Sequence, residues 1–451
     1  MPPGSRPSPQ ALELVFLPDR KVFDGRFANN AWLQEFPDPI TKLTWDNALL
    51  VAPRTADALG VGMGDVVTLS CGGRSVQAPV YILPGQAENS VALALGYGRR
   101  RAGRVGDEVG SNAYALRTAA TPWVATSATV QRTDLKRKLA TTQDHWGMDK
   151  LGERTLQERV PMFVKEGTLA EYKADPAFAH KGEHELIQLW DPHKYEGNQW
   201  GMAIDLSACT GCGACMVACQ AENNIPVVGR RQVLVSRDMH WIRVDRYFKG
   251  DPNEPEFAFQ PVACVHCENA PCEQVCPVQA TVHDHEGINE MVYNRCVGTR
   301  YCANNCPYKV RRFNFLNWHK GDAELGPLAR MAMNPEVTVR SRGVMEKCTY
   351  CVQRINAVKI AAKNDARPIK DGEIVTACEQ ACPSQAIVFG NVNDVESRVA
   401  KLQKSGRAYS LLAEINVRPR TQYLARLKNP VHGAEAPAGG AHGASEEHHE
   451  S

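Results

Sequence analysis

The stretch "ACTGCGACMVAC", residues 208–219, sets cysteines at 209, 212, 215 and 219, with gaps of two, two and three residues. The chain holds 16 cysteines, and 15 of them fall between Cys209 and Cys382. Working outward, the spacing recurs. A second group is Cys264, Cys267, Cys272 and Cys276, followed by Pro277. A third lies in "NRCVGTRYCANNCPY", residues 294–308, with Cys296, Cys302, Cys306 and Pro307 in register and Thr299 where a cysteine is due. The fourth is Cys348 and Cys351, then a long insertion, then Cys378, Cys382 and Pro383.

A cubane iron–sulfur cluster needs four thiolates converging on one small volume. Three cysteines spaced two apart let a tight loop wrap three corners. The fourth lies three residues on, points away from that loop and, in two-cluster ferredoxins, ligates the other cluster. The proline that follows has no N–H and turns the chain. A disulfide framework is the first alternative, but such frameworks belong mainly to small secreted domains. Zinc is the second. Its sites use two ligand pairs, which four triplet-plus-one groups match poorly. His266, inside "CVHC", reads as an outer-sphere or surface residue and not as a ligand.

Pairing the outer groups and the inner groups, and crossing over the last cysteine of each, gives four sets. Set A is Cys209, Cys212, Cys215 and Cys382; set B is Cys348, Cys351, Cys378 and Cys219. Set C is Cys264, Cys267, Cys272 and Cys306; set D is Cys296, Cys302 and Cys276. All 15 cysteines are used. Set D contains Thr299 at the missing position. A hydroxyl stays protonated near neutral pH and is a weak ligand for iron. The expectation is three [4Fe–4S] clusters and one [3Fe–4S] cluster at set D, against a four-iron cluster with water at the open corner. Arg295, Arg300, Lys309, Arg311 and Arg312 surround set D. They read either as charge compensation and docking or as a solvated basic face.

Bulk properties exclude several classes. A net charge of +2 argues against polyelectrolyte binding to nucleic acid. No apolar run reaches the roughly 18–20 residues needed to span a bilayer. The opening "MPPGSRPSPQ" lacks the pattern of a signal peptide. Residues 11–120 alternate short apolar runs with Gly/Pro/Asp turns and predict a compact β-rich domain. Residues 121–200 read as a linker with short helices, 201–400 as the cluster domain, 401–430 as a C-terminal extension and 431–451 as a disordered tail. "ATVHDHEGINEMVYNRC", residues 280–296, has the alternation and central glycine of a hairpin.

The cysteine segment resembles the four-cluster ferredoxin subunits of the polysulfide, dimethyl sulfoxide and nitrate reductases. The four sets agree with that family's pattern. "FDGRFANNAWLQEFPDPITKLTWDNALLVAP", residues 23–53, resembles the molybdopterin-dinucleotide-binding barrel of molybdenum oxidoreductases. Its fusion to a four-cluster segment, with "WDPHKYEGNQWGMAIDLSACTGCGACMVACQAENNIPVVG" at 190–229, is similar to the iron–sulfur subunit of alternative complex III, a quinol:electron-acceptor oxidoreductase.

The resemblance implies an α+β chain: an N-terminal double-psi-type β-barrel, then a duplicated ferredoxin-like four-cluster domain. It implies electron transfer from a membrane quinol site at set D, through C and B to A, and on to a c-type haem subunit or oxidase, with no catalytic residue in the chain. It implies an integral membrane quinol-binding partner and a peripheral place on the periplasmic face. The family's large N-terminal portion is not in this sequence, so a separate chain supplying it is a further expected partner, and no molybdopterin is expected in the barrel. Asn29 and Asn30 are read as turn residues and Cys71 as a small buried apolar residue. The alternatives are an iron–sulfur subunit of a molybdopterin-dependent reductase of polysulfide, dimethyl sulfoxide or nitrite type, and a structural assembly protein whose clusters stabilise the fold.

Overall fold

Period-two alternation organises the first half of the chain. In "LELVFL" the side chains of Leu12, Leu14 and Phe16 point inward and those between them stand nearer the surface. The computed structural model describes residues 6–143, 159–180, 186–187, 191–319 and 330–428. In it, β1 (Leu12–Leu17), β2 (Leu49–Val51), β3 (Asp65–Cys71), β4 (Arg74–Ile82), β5 (Ser90–Ala94) and β6 (Val124–Lys136) close a barrel in the order β1-β5-β2-β4-β3-β6. β1 runs parallel to β5 with Leu14 opposite Val91, and β2 parallel to β4 with Leu49 opposite Val80. Closure removes the exposed strand edges. Leu12, Leu14, Phe16, Leu49, Leu69 and Val80 fill the interior.

The strand β6 lies in the stretch expected to be a linker from residue 121. It is the longest barrel strand, and it shuts the barrel by pairing with both β1 and β3. Its charged side chains face solvent and hide the strand signal. Further along, Leu169–Ala174 is a helix with a capping box between Thr168 and Glu171. The 431–451 tail lies outside the described residues.

A four-stranded sheet carries the cysteine-rich part, in the order Ile387–Asn391, Trp200–Asp205, Thr421–Leu424, Ala408–Tyr409. The stretch expected as a C-terminal extension thus supplies two of the four strands. Arg420, just before the third of them, is buried and donates to the carbonyl of Trp200 at 2.9 Å. The pairs Arg243–Lys249 with Glu256–Val262, and Thr281–His283 with Asn289–Met291, are antiparallel. The second pair is the hairpin read from residues 280–296.

One short helix joins the two parts. Asn30 caps Ala31–Glu35 by accepting from the Leu33 N–H at 3.2 Å. Asn29 accepts the Val105 N–H at 3.0 Å. The buried Glu35 carboxylate then accepts backbone N–H groups of Val228 at 3.0 Å and Gly229 at 2.6 Å. Among the described residues no helix is long and apolar enough to cross a membrane.

Candidate metal-cluster site

Each group of cysteines starts in a loop and runs into a short helix. Ala214–Glu222 carries Cys215 and Cys219, Pro271–Gln274 carries Cys272, Tyr301–Asn305 carries Cys302, and Ala377–Gln380 carries Cys378. A left-handed residue stands two places after the first cysteine in all four loops: Gly211 (φ 70°), His266 (φ 48°), Gly298 (φ 76°) and Tyr350 (φ 53°). That conformation curls the loop so that successive side chains face one volume. At Gly213 an added Cβ would stand 2.6 Å from the Phe36 ring, so only glycine lets the barrel segment pack there.

The chain after the last cysteine repeats as well. Gln279, Lys309 and Gln385, three residues beyond Cys276, Cys306 and Cys382, have φ of 50°, 51° and 52°. The next N–H turns back on the sulfur in two cases. Ala280 donates to Cys276 Sγ at 3.2 Å, and Ala386 to Cys382 Sγ at 3.3 Å.

The thiols gather as follows. Burial raises Cys209, and the charges of Cys382 and Cys212 add to it. Burial raises Cys219 well above the ordinary thiol range, with Cys348, Cys351 and Cys378 adding. Cys267 is raised in the same way by burial and by Cys264, Cys306 and Cys272. Cys302 is raised by burial, with Cys296 and Cys276 as its cysteine neighbours. Each last cysteine is therefore beside the partner group's triplet and not its own. Neighbouring sets also act on one another electrostatically. Cys378 bears on Cys215, and Cys264 bears on Cys348.

This donor set suits iron–sulfur clusters. Buried thiols that raise one another's pKa are unfavourable as thiolates until a cation offsets their charge. All 16 cysteines are free. Among the described residues no three His, Cys, Asp or Glu side chains stand close enough to hold one metal ion. Sulfurs around a cubane are farther apart than sulfurs around a zinc, where the metal–sulfur distance is about 2.3 Å.

Thr299 is exposed, and Cys296 is only half-buried, so set D is open to the surface. The basic residues divide. Arg295 and Arg300 are exposed, whereas Arg311 and Arg312 are each 6% exposed. Arg312 pairs with Asp238 at 3.3 Å. Arg311 donates to Cys272 Sγ at 3.2 Å.

Three further groups at the sets carry no motif. Buried Lys42 comes from the barrel segment and bears on Cys209. Lys347 is fully buried and donates to the carbonyls of Asn289 and, at 2.9 Å, Cys348. Asn223 donates to Cys219 Sγ at 3.5 Å and Cys351 Sγ at 3.9 Å. A lysine beside a cysteine is the sole sequence signal for Lys347. His266 is fully buried under Tyr350 and Asn289, which removes the surface reading and leaves the outer-sphere one. One expectation is corrected. Cys71 is half-buried and not in the core, because it ends β3 at the barrel rim, its thiol 3.7 Å from the Thr126 carbonyl.

Two family descriptions, each reading "4Fe-4S dicluster domain", match residues 208–280 and 255–325. The chain is 44% identical over 236 residues to the menaquinone reductase iron-sulfur cluster-binding subunit of Nitratidesulfovibrio vulgaris, covering 51% of this chain and 89% of that protein. It is 34% identical over 247 residues to the Hdr-like menaquinol oxidoreductase iron-sulfur subunit 1 of Archaeoglobus fulgidus, covering 51% and 84%. It is 31% identical over 247 residues to the arsenate respiratory reductase iron-sulfur subunit of a Shewanella species, covering 50% and 95%. With these relatives matched over most of their length and the dicluster descriptions over its cysteine groups, the chain belongs to the family of iron–sulfur subunits of menaquinol- and molybdoenzyme-type reductases.

Proposed function

We propose that this chain relays single electrons within a quinol-oxidising complex of the alternative complex III kind, between an integral membrane quinol-binding partner and a c-type haem partner or oxidase, on the periplasmic face. Neither molybdopterin nor nucleic acid is bound. Sets A, B and C each hold a [4Fe–4S] cluster and set D a [3Fe–4S] cluster. The barrel is of the double-psi type, and the ferredoxin-like part is a duplicated unit.

One observation carries this. The thiol neighbourhoods adjoin pairwise from A to D, with Cys378 bearing on Cys215, Cys264 on Cys348, and Arg311, hydrogen-bonded to Cys272, on Cys302. When bound, the clusters supply one-electron transfer. The chain's residues do the rest. The cysteines bind, burial excludes water, Thr299 withholds a fourth thiolate from set D, and the open surface at set D faces the electron donor. The shared left-handed position in all four loops supports the duplicated unit.

A second reading, an iron–sulfur subunit of a molybdopterin-dependent reductase with electrons leaving at set A to a catalytic pterin, is favoured by relatives such as the arsenate respiratory reductase subunit. The fused barrel favours the first.

The test is anaerobic purification of the assembled complex, metal analysis and electron paramagnetic resonance under redox titration. About 15 iron atoms per chain are expected, the sum of three four-iron clusters and one three-iron cluster. The oxidised sample should show a three-iron signal, and a quinol analogue should reduce the chain. Zinc in place of iron, or reduction by a molybdenum-enzyme substrate and not by quinol, overturns the proposal.

A further inference from the structure

Arg311 hydrogen-bonds a sulfur of set C and bears on a cysteine of set D. Its guanidinium donates to Cys272 Sγ of set C at 3.2 Å, to Asn289 Oδ1 at 3.1 Å and to Thr281 Oγ1 at 3.1 Å. The charge of the same group bears on Cys302 of set D. It is 6% exposed, and no carboxylate among the described residues pairs with it. A buried guanidinium without a counter-anion is strongly unfavourable. The thiolates are what offset it here. Burial opposes its charge, and Cys272, Cys302, Cys264 and Cys306 restore it. Asn289 holds it in place, since its side chain also donates to Glu273 and its carbonyl accepts from Lys347.

We infer that Arg311 is the residue that sets the reduction potentials of sets C and D together, by placing one fixed positive charge on a sulfur ligand of set C and within electrostatic reach of set D. The inference rests on the electron-relay reading. Reduction adds a negative charge to a centre that is already anionic. A cation hydrogen-bonded to its sulfur stabilises the reduced form more than the oxidised form, which raises the potential. A charge shared by both sets raises both, and so keeps the step between them small. Sets A and B, without a sulfur contact to Arg311, are not raised.

The test is redox titration of the assembled complex carrying Arg311→Gln, read by electron paramagnetic resonance, with iron content measured in parallel. The midpoints of sets C and D should both fall by at least a tenfold change in the reduction equilibrium, about 59 mV for one electron. Those of sets A and B should stay in place. Asn289→Asp leaves the guanidinium present but sets a carboxylate against it, and should lower the same two midpoints if Arg311→Gln fails to load iron. Unchanged midpoints for C and D in a loaded variant, or an equal fall in all four, overturn the inference. Absence of cluster signals from the unmodified complex overturns the relay reading instead.

Discussion

The imidazole of His266 stacks on the ring of Tyr350, with centroids 3.8 Å apart and planes 27° from parallel. The two residues hold the same place in two loops, each before the second cysteine of "CVHC" and "CTYC". The contact therefore fastens the loop of set C to the loop of set B. The Asn289 N–H donates to His266 Nδ1 at 3.1 Å, and the Tyr350 hydroxyl meets Thr421 Oγ1 at 2.7 Å. Burial holds the imidazole well below its ordinary pKa, helped by the charge of Lys347, so it is neutral.

Replacing His266 by Ala opens a cavity and leaves the Asn289 N–H unpaired, which is expected to cost about 2–4 kcal/mol. Tyr350→Phe keeps the stack and loses one hydroxyl bond, about 1 kcal/mol. Anaerobic denaturant titration of both variants checks the ranking. A larger loss for Tyr350→Phe would show that the stack contributes little.

Thr299→Cys should turn set D into a four-iron site. The left-handed Gly298 and Arg300 (φ 76° and 62°) match Gly211 and Gly213 (φ 70° and 76°), which flank Cys212. A cysteine therefore fits with no backbone change. Iron content is expected to rise by about one atom per chain and the three-iron signal to vanish. Retention of that signal in the variant means that the missing thiolate is not its cause.

Glu35 gives the joint between barrel and cysteine domain a pH dependence. Burial raises its pKa from 4.5 to about 7, opposed by the N–H donors of Val228, Gly229 and Trp45. The folded chain thus holds a proton that the unfolded chain has released. For this group stability is greatest below pH 4.5 and falls as pH rises to about 7, by up to about 3 kcal/mol. Unfolding measured across that window in the unmodified protein and in Glu35→Gln should differ in slope. Parallel curves would show that Glu35 carries no proton there.

Removing iron with a chelator should unfold the cysteine domain and spare the barrel. Cys215, Cys219, Cys264, Cys267, Cys272 and Cys306 belong to the domain's own core, whereas the barrel closes around Leu12, Leu49, Leu69 and their neighbours. Without metal, thiols buried against one another no longer hold the loops together. Hydrogen exchange should show strands β1–β6 still protected and Trp200–Asp205 exchanging freely. Loss of protection in both parts would mean that they fold as one unit.

Much of the site was legible because cluster spacing is a local property. The gaps around Cys209–Cys219 and the proline after Cys276, Cys306 and Cys382 follow from loop geometry over about a dozen residues, and no distant contact is needed to read them. The hairpin at Thr281–Met291 was legible for the same reason. The strand β6 was not, because its solvent-facing charges mask the alternation and only barrel closure gives it a partner. Nor were the strands Ala408–Tyr409 and Thr421–Leu424, too short to be recognised before the sheet beside Trp200–Asp205 is formed.

The basic run marks the same boundary. Arg300 and Arg311 look alike in "TRYCANNCPYKVRR". One is exposed and the other sits between Cys272 and Cys302. By itself the sequence determined which cysteines stand in cluster spacing, because residue identity and short-range spacing are covalent facts. Only the tertiary structure decided where the buried charges of Lys42, Lys347 and Arg311 fall, because burial is set by segments that meet from far apart in the chain.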